Sequence, residues 1–261
     1  MAKAKKAVFE RLYDDLNRRK YVSPDPLQFL YDYEDSADRE IVGLVASSLA
    51  YGRVAQILKS VDKVLSAMDG PKKFLESSSF REIKSCFKNF KHRFTTGEHL
   101  ARMLYAAKRA NEEYGSLEAC FESGIEDGDP TVLQAMSLFT TEMDGLAEKP
   151  LGYLLPTPDG GSACKRFNLF LRWMGRKDAV DSGGWKCLDP SLLVIPLDTH
   201  MYQICSKLGF TKRKQANLKT AVEITDAFRK ICPADPVKYD FALTRLGIRT
   251  DTDLDGFLNS I

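Results

Sequence analysis

Apolar residues recur along most of the chain every three or four positions, which is the spacing of one face of an amphipathic α-helix. The first clear stripe ends at Asp69-Gly70-Pro71, where glycine and proline stop a helix. Because the same spacing returns three more times, we predict helices at four places. The apolar positions are Ile57, Leu58, Val61, Val64, Leu65 and Met68; Leu100, Met103, Leu104 and Ala107; Phe167, Phe170, Leu171 and Met174; and Leu218, Ala221, Val222, Thr225 and Phe228.

Alternating apolar and polar positions, the pattern of a half-buried strand, are almost absent from the chain. The segment from Leu192 to Ile195 is the one short candidate strand. Near the end of the sequence, Pro236 predicts the start of a last helix, and Gly247 predicts its end. The apolar face of that helix would consist of Val237, Phe241, Ala242 and Leu246. Together these patterns predict an all-α protein without internal repeats.

The composition is that of a soluble globular protein with a sizeable core, since 44% of the 261 residues are hydrophobic and 28% are charged. The basic start, residues 1–6, is followed by no apolar segment, and no apolar run is long enough for a membrane span. The six cysteines form no Cys-x-x-Cys pair, which argues against zinc or iron–sulfur sites and favours a reducing compartment. We therefore predict a cytoplasmic protein, in the bacterial cytosol or nucleoid, with no metal site.

The net charge of +2 conceals a strong asymmetry along the chain. Residues 111–150 hold ten acidic residues and one basic residue, a net −9, so the remainder of the chain carries +11. Basic residues cluster in the segments 3–20, 84–93, 165–177 and 207–219. This polarisation is compatible with a basic face for nucleic acid. The alternative, which charge alone favours, is a set of ordinary solvated helix surfaces.

Lys165 is the first of two residues that carry candidate chemistry. It begins the amphipathic stretch 165–171, and a primary amine becomes a nucleophile when desolvation or a cationic neighbour lowers its pKa. Arg166 would be the cationic neighbour, and the apolar face that starts at Phe167 would supply a dry wall. The alternative is a solvated lysine in the first turn of a helix, which is the commonest situation for a lysine.

Asp198 is the second candidate, 33 residues further along the chain. It directly precedes Thr199 and the apolar positions Met201 and Ile204, an order that predicts a helix N-cap. Capping is by itself a sufficient structural explanation for an aspartate there. A capped carboxylate is also fixed in place and ionised, so it could stabilise the positive charge that develops on a sugar during cleavage of a glycosidic bond.

These two segments resemble motifs of the helix-hairpin-helix DNA glycosylase superfamily, which includes endonuclease III and the 8-oxoguanine glycosylases. Lys165-x-x-Asn168-x-x-Leu171 is similar to the lysine helix of that superfamily, and Leu197-Asp198-Thr199-His200 is similar to its aspartate motif. Residues 42–51 resemble its early helix, and residues 241–247 resemble a late one. The whole chain is also similar to an uncharacterised bacterial family of this length that carries the same motifs.

The resemblance implies a two-lobed helical glycosylase fold with a helix-hairpin-helix-like element, in which lobe A comprises residues 41–175 and ends in the lysine helix. Lobe B would comprise residues 1–40 and 176–261. It also implies a Schiff-base mechanism, in which Lys165 attacks the sugar with help from Asp198 and without a cofactor.

The partner that the resemblance implies is double-stranded DNA with a damaged or abasic nucleotide, bound by a monomer. Tyr51 would enter the gap left by a flipped base, although Tyr51 and Arg53 are also compatible with ordinary residues at a helix end. His92 and Arg93 belong to the basic run 88–94, whose histidine could contact a phosphate or simply lie at the surface. The full set of assigned DNA contacts is Tyr51, Arg53, His92, Arg93, Gly160, Gly161, Ser162, Arg166 and His200.

Three features depart from the pattern of the superfamily. The hairpin that normally reads LPGVG is here residues 155–162, where Gly160 and Gly161 could present N–H groups to a phosphate. The connection 176–194 before the aspartate motif is long, and its Trp185 would line a pocket or cover the core. No cysteine cluster follows the last helix, so no iron–sulfur cluster is expected.

The alignment of the lysine helix has one alternative register. A shift by one residue would put Cys164 at the nucleophile position and abolish Schiff-base chemistry, but only the Lys165 register keeps the apolar pattern and Asn168 in place. Three hypotheses remain: a DNA glycosylase with abasic-site lyase activity, a non-catalytic DNA-binding protein that retains the fold, and a protein unrelated to DNA. The departures motivate the second, because a fold does not fix a function.

Overall fold

The computed structural model describes residues 2–249 and 252–259, and most of these residues are helical, which confirms the prediction of an all-α protein. A two-stranded antiparallel sheet, β1 (Lys91–His92) and β2 (Thr95–Thr96), lies between the helices that end at Cys86 and begin at Gly97. The α-helices of the described range are α1 (Ala2–Leu16), α2 (Ser36–Ser48), α3 (Val54–Leu65), α4 (Pro71–Ser77), α5 (Phe80–Cys86), α6 (Gly97–Tyr114), α7 (Leu117–Glu122), α8 (Leu133–Leu146), α9 (Lys165–Gly175), α10 (Thr199–Lys207), α11 (Leu218–Arg229), α12 (Asp240–Ile248) and α13 (Leu254–Asn259).

Most residues of the four predicted apolar stripes lie on the buried faces of α3, α6, α9 and α11, whereas Leu58, Leu218 and Val222 are only partly buried. Helix α9 packs closely against α2 at Gly43, where a Cβ atom would lie 3.1 Å from the ring of Phe170. Because α2 ends at Ser48, this packing brings the first residue of α9 next to the chain that leaves α2. The helix pair therefore sets the position of Lys165.

The predicted strand from Leu192 to Ile195 is wrong. The short 3-10 helix Pro190–Leu192 occupies its start, and the following residues are extended without a partner strand. The backbone N–H of Ile195 donates instead to the Thr225 hydroxyl of α11 at 3.0 Å. A helix side chain thus supplies the hydrogen bond that a neighbouring strand would have supplied.

The predicted bounds of the last helix are also wrong. Pro236 and Val237 belong to a turn, and α12 starts only at Asp240. Gly247 lies inside α12, where a Cβ atom would approach the Ile204 side chain of α10 to 2.9 Å, so glycine serves close helix packing there. Helix α13 then follows, so α12 is not the last helix.

The long connection 176–194 covers the core. The Trp185 side chain is 4% exposed, its ring contacts those of Phe121 and Phe170, and its indole Nε1 donates to Glu40 at 2.9 Å. Of the two roles that the sequence left open for Trp185, lining a pocket or covering the core, the structure supports the second.

A buried ion-pair network joins the second half of α9 to the connection and to α12. Arg172 pairs with Asp181 and Asp240, and Arg176 pairs with Asp181 and Asp235. A fourth carboxylate of the network, that of Asp178, lies 3.0 Å from the Arg176 guanidinium. A buried charge without a partner is strongly destabilising. The network therefore favours the arrangement in which these three segments of the chain lie together.

The division into lobe A (41–175) and lobe B (1–40 with 176–261) stays a prediction, and residues 1, 250, 251, 260 and 261 of those ranges lie outside the described residues. Within the described range, no helix combines the length and the apolar character that crossing a membrane requires.

Candidate active site

Lys165 and Asp198 line the same cavity, which has a volume of about 750 Å³. Its walls come from the chain around Asp25, from the junction of α2 and α3, from the start of α9, from residues 196–200 and from α12. A cavity of similar volume, about 770 Å³, lies against α11, and neither candidate residue lines it. The fold therefore brings together two residues that are far apart in sequence.

The Lys165 amine is half-buried and weakly bonded. Its Nζ atom lies 3.5 Å from the Ala50 carbonyl oxygen, and among the described residues no carboxylate forms an ion pair with it. Desolvation lowers the pKa of Lys165, and the Arg166 charge lowers it further. The negative charges of Asp198, Asp25 and Asp240 oppose this effect without reversing it. Lys165 thus loses its proton more readily than a solvated lysine.

We expect Lys165 to titrate at lower pH than the exposed lysines, because burial disfavours its charged form. Reductive ¹³C-methylation of the lysines followed by NMR titration would measure this, and the Lys165→Arg variant would identify the resonance. At any given pH, the neutral fraction of Lys165 would then exceed that of a solvated lysine in a short peptide. Titration of the Lys165 resonance together with that of such a peptide would contradict the expectation.

Asp198 is the N-cap of α10, as predicted. Its carboxylate accepts the backbone N–H of Met201 at 2.8 Å, which satisfies one of the unpaired donors at the helix start. The cap holds this carboxylate at the cavity wall, at the positive end of the helix. His200, in the first turn of α10, is exposed and also lines the cavity.

Tyr51 lines the cavity but is held firmly by its neighbours. Its hydroxyl donates to the His92 carbonyl oxygen at 2.9 Å and lies 2.6 Å from the Thr95 hydroxyl. The His92 ring bonds to the Tyr51 carbonyl oxygen at 3.0 Å and to the Ser60 hydroxyl at 2.9 Å. Since His92 is only 2% exposed, its predicted phosphate contact does not fit this position, and neither does the alternative of a surface histidine. Burial also lowers the pKa of His92, which favours the neutral ring.

The predicted arginines differ in their surroundings. Arg53 and Arg93 are exposed and are not part of the cavity lining, but both adjoin the lining residue Gly52. Arg53 follows Gly52 in the chain, and the Arg93 Cδ atom lies 3.0 Å from the position that a Cβ atom of Gly52 would occupy. The guanidinium of Arg166 instead donates to the carbonyl oxygens of Ser48 and Tyr153 and lies 4.8 Å from the Tyr51 ring centroid. Arg166 therefore holds the end of α2 and Tyr51 in place, and the predicted DNA contact does not fit a side chain bonded in this way.

The predicted phosphate-binding turn is exposed but lies outside the cavity lining. Gly160 ends the short 3-10 helix Pro158–Gly160, and Gly161 follows in the left-handed region at φ 71°. The Gly161 N–H is already bonded to the Pro158 carbonyl oxygen at 2.8 Å, so this donor does not face solvent. The Ser162 hydroxyl accepts the N–H of Cys164 at 3.3 Å. Short 3-10 helices, and no α-helix, connect α8 to this turn.

Sequence reasoning missed five charged residues of the cavity: Asp25, Arg172, Asp240, Arg245 and Arg249. Asp240 is 2% exposed, and burial raises its pKa to about 6 despite its pairing with Arg172. Arg245 donates to the Asp25 carboxylate at 2.5 Å. In the sequence these residues are charged positions within or beside apolar segments. Such positions are too common to identify a site.

Comparison with known proteins gives one match. The model of a family described as "Protein of unknown function (DUF2400)" matches residues 25–249, a span that includes both Lys165 and Asp198. No curated protein and no solved structure matches the chain. Within the described residues, no group of three or more histidine, cysteine, aspartate or glutamate side chains could hold a metal ion.

Proposed function

This chain belongs to the DUF2400 family, and we propose that it is a DNA repair glycosylase with abasic-site lyase activity. One observation carries the proposal: a half-buried amine with a lowered pKa and without an ion-pair partner among the described residues shares a cavity with a capped carboxylate. Covalent capture of a sugar requires this combination of a neutral nucleophile and a fixed anion.

In the proposed reaction the neutral Lys165 amine attacks C1′ of the flipped nucleotide. The bond from C1′ to the base nitrogen breaks, and its electron pair leaves with the base, which takes up a proton. Asp198 stabilises the positive charge on the sugar and receives a proton from the attached amine. Asp198 returns this proton to O4′ as the bond from C1′ to O4′ breaks, which gives the C1′ iminium. A water molecule then removes a C2′ proton, and the electron pair of that C–H bond expels the 3′ phosphate.

The dimensions of the cavity support a nucleotide as the substrate. A volume of about 750 Å³ is in the usual range of small-molecule pockets, and the lining combines apolar walls with a few charged groups. Leu169 and Phe241 supply apolar wall, while Lys165 and Asp198 supply the reacting groups. The exposed Arg53 and Arg93 provide positive charge beside the mouth, as phosphate binding requires.

Borohydride trapping on duplex oligonucleotides tests the proposal. The substrates would carry an abasic site, 8-oxoguanine, uracil or an oxidised pyrimidine, with undamaged duplex as the control. We expect a covalent adduct that depends on the lesion. Release of free base without an adduct would leave a glycosylase but remove the lyase step, and neither product from any substrate would overturn the proposal.

Two substitutions of Asp198 separate its chemical role from its capping role. Asp198→Asn keeps a capping oxygen, so the unfolding free energy should stay within about 0.5 kcal/mol of wild type, whereas Asp198→Ala should lose about 1 kcal/mol. Both should slow adduct formation by about a hundredfold, because both remove the negative charge. Urea denaturation and single-turnover trapping would measure the two effects. Normal trapping by Asp198→Asn would show that the carboxylate serves only as a cap.

A non-catalytic DNA-binding protein is the second candidate. Three carboxylates near Lys165 favour its charged form, and a charged lysine would bind a phosphate without attacking the sugar. Salt-dependent duplex binding without any trapping or base release would support this candidate.

A further inference from the structure

The hairpin of β1 and β2 places its two turn residues at the mouth of the cavity. Arg93, the first of them, adopts the left-handed conformation with φ 53°. Its Cδ atom lies 3.0 Å from the point where a Cβ atom of Gly52 would be, and Gly52 itself lines the cavity. The turn is thus seated against the cavity rim.

Phe94, the second turn residue, is an exposed ring with a rigid support. Its side chain is 55% exposed, the largest fraction among the exposed large apolar side chains of the described range. The ring stacks on Tyr51 at a centroid distance of 5.0 Å and meets the edge of Tyr153 at 4.9 Å. The Tyr153 hydroxyl also donates to the Phe94 carbonyl oxygen at 3.1 Å. One face of Phe94 is therefore fixed, and the rest of the ring is open to a partner.

Exposed apolar residues gather around this mouth. Val54 and Ile248, which line the cavity, are 41% and 48% exposed. The fourth exposed residue of this kind, Leu138, belongs to α8, which supplies none of the cavity lining. Single exposed apolar side chains are ordinary, but three of them around one cavity mark an interaction surface.

The charge of the surroundings identifies the kind of partner. Arg53 and Arg93 are exposed next to Phe94, and the Arg93 guanidinium carbon lies 5.9 Å from its ring centroid. Positive charge beside an open aromatic ring fits a polyanion whose bases offer flat faces for stacking.

We propose that Phe94 is a wedge that enters the base stack of duplex DNA while the neighbouring nucleotide occupies the cavity. This inference rests on the proposed function. It differs from the expectation that Tyr51 would enter the gap left by a flipped base. The Tyr51 hydroxyl is anchored by His92 and Thr95, and its ring forms the support behind Phe94. An apolar side chain inserted in this way separates neighbouring bases and bends the helix.

Fluorescence of 2-aminopurine tests the wedge directly, because this base brightens when it is unstacked. The duplex would contain 2-aminopurine beside a tetrahydrofuran abasic analogue, which binds without reacting. We expect wild type to raise the fluorescence on binding. Phe94→Ala should lose more than half of the rise and bind about tenfold more weakly, whereas Phe94→Trp should keep both. Leu138→Ala, which removes an apolar side chain that is 48% exposed and far from the cavity lining, should behave as wild type.

The outcomes separate the wedge from the catalytic proposal. An unchanged rise with Phe94→Ala, or weaker binding with an unchanged rise, would overturn the wedge and leave the glycosylase proposal intact. A rise that depends on Phe94, in a protein that never forms a borohydride-trapped adduct or releases a base, would support the wedge and overturn the glycosylase. If wild type binds no duplex, both proposals fail, and the mouth is then a surface for another class of partner.

Discussion

Replacing Lys165 by glutamine is expected to abolish the borohydride-trapped adduct. The amide cannot form an imine, so the trapping rate should fall by about a thousandfold or more, to the background of adventitious surface amines. Duplex affinity should change by less than about tenfold, because at most one positive charge is lost. Single-turnover trapping and a binding titration at fixed salt would measure the two quantities.

Two control variants show whether loss of the adduct is specific to the Lys165 amine. Lys165→Arg keeps the positive charge but cannot form a stable imine, so it should bind as wild type and trap nothing. Lys212→Gln removes an exposed lysine away from the cavity lining and should trap as wild type. An undiminished adduct in Lys165→Gln would assign the nucleophile to another amine and remove the central support for the mechanism.

Replacing Asp181 by alanine should cause the largest loss of stability, about 3–5 kcal/mol of unfolding free energy. The Asp181 carboxylate is buried and pairs with both Arg172 and Arg176, so its removal leaves two buried guanidinium groups short of an acceptor. Urea denaturation followed by circular dichroism would measure the change.

Asp226→Ala is the appropriate control for this prediction. Asp226 pairs with Arg229 on the surface of α11, with its side chain 53% exposed, so its loss should cost about 0.5 kcal/mol or less. If the two variants unfold at the same urea concentration, the buried network contributes no more than a surface ion pair. The position of α9 against the connection 176–194 and α12 would then depend on apolar packing rather than on the ion pairs.

Local patterns predicted the helices well. The stripes of α3, α6, α9 and α11 follow from the periodicity, because most of their residues lie on the buried side of the helix. In α9 burial extends beyond the stripe to Asn168, Arg172 and Trp173. The cap at Asp198 was also predictable, because a cap depends only on the residue itself and the next three positions. Such features are determined by residues that are close to one another in the sequence.

Features that depend on distant residues were missed or misread. Gly247 looks like a helix end in the sequence, and only the approach of Ile204 from α10 explains its place inside α12. The hairpin of residues 91–96 has strands of two residues each, too short for any alternation to show. The meeting of Lys165 and Asp198 in one cavity was expected from the resemblance, whereas the contributions of Asp25 and Asp240 required the structure.

The packing of the connection 176–194 over α9 also makes the tryptophan fluorescence of the protein sensitive to this helix. Its two tryptophans are Trp173, which lies within α9 and is 1% exposed, and Trp185, which contacts Phe170 of the same helix. Intrinsic fluorescence therefore reports on the immediate surroundings of α9. Movement of the Phe94 hairpin would leave that emission nearly unchanged, while any displacement of the helix that carries Lys165 would alter it.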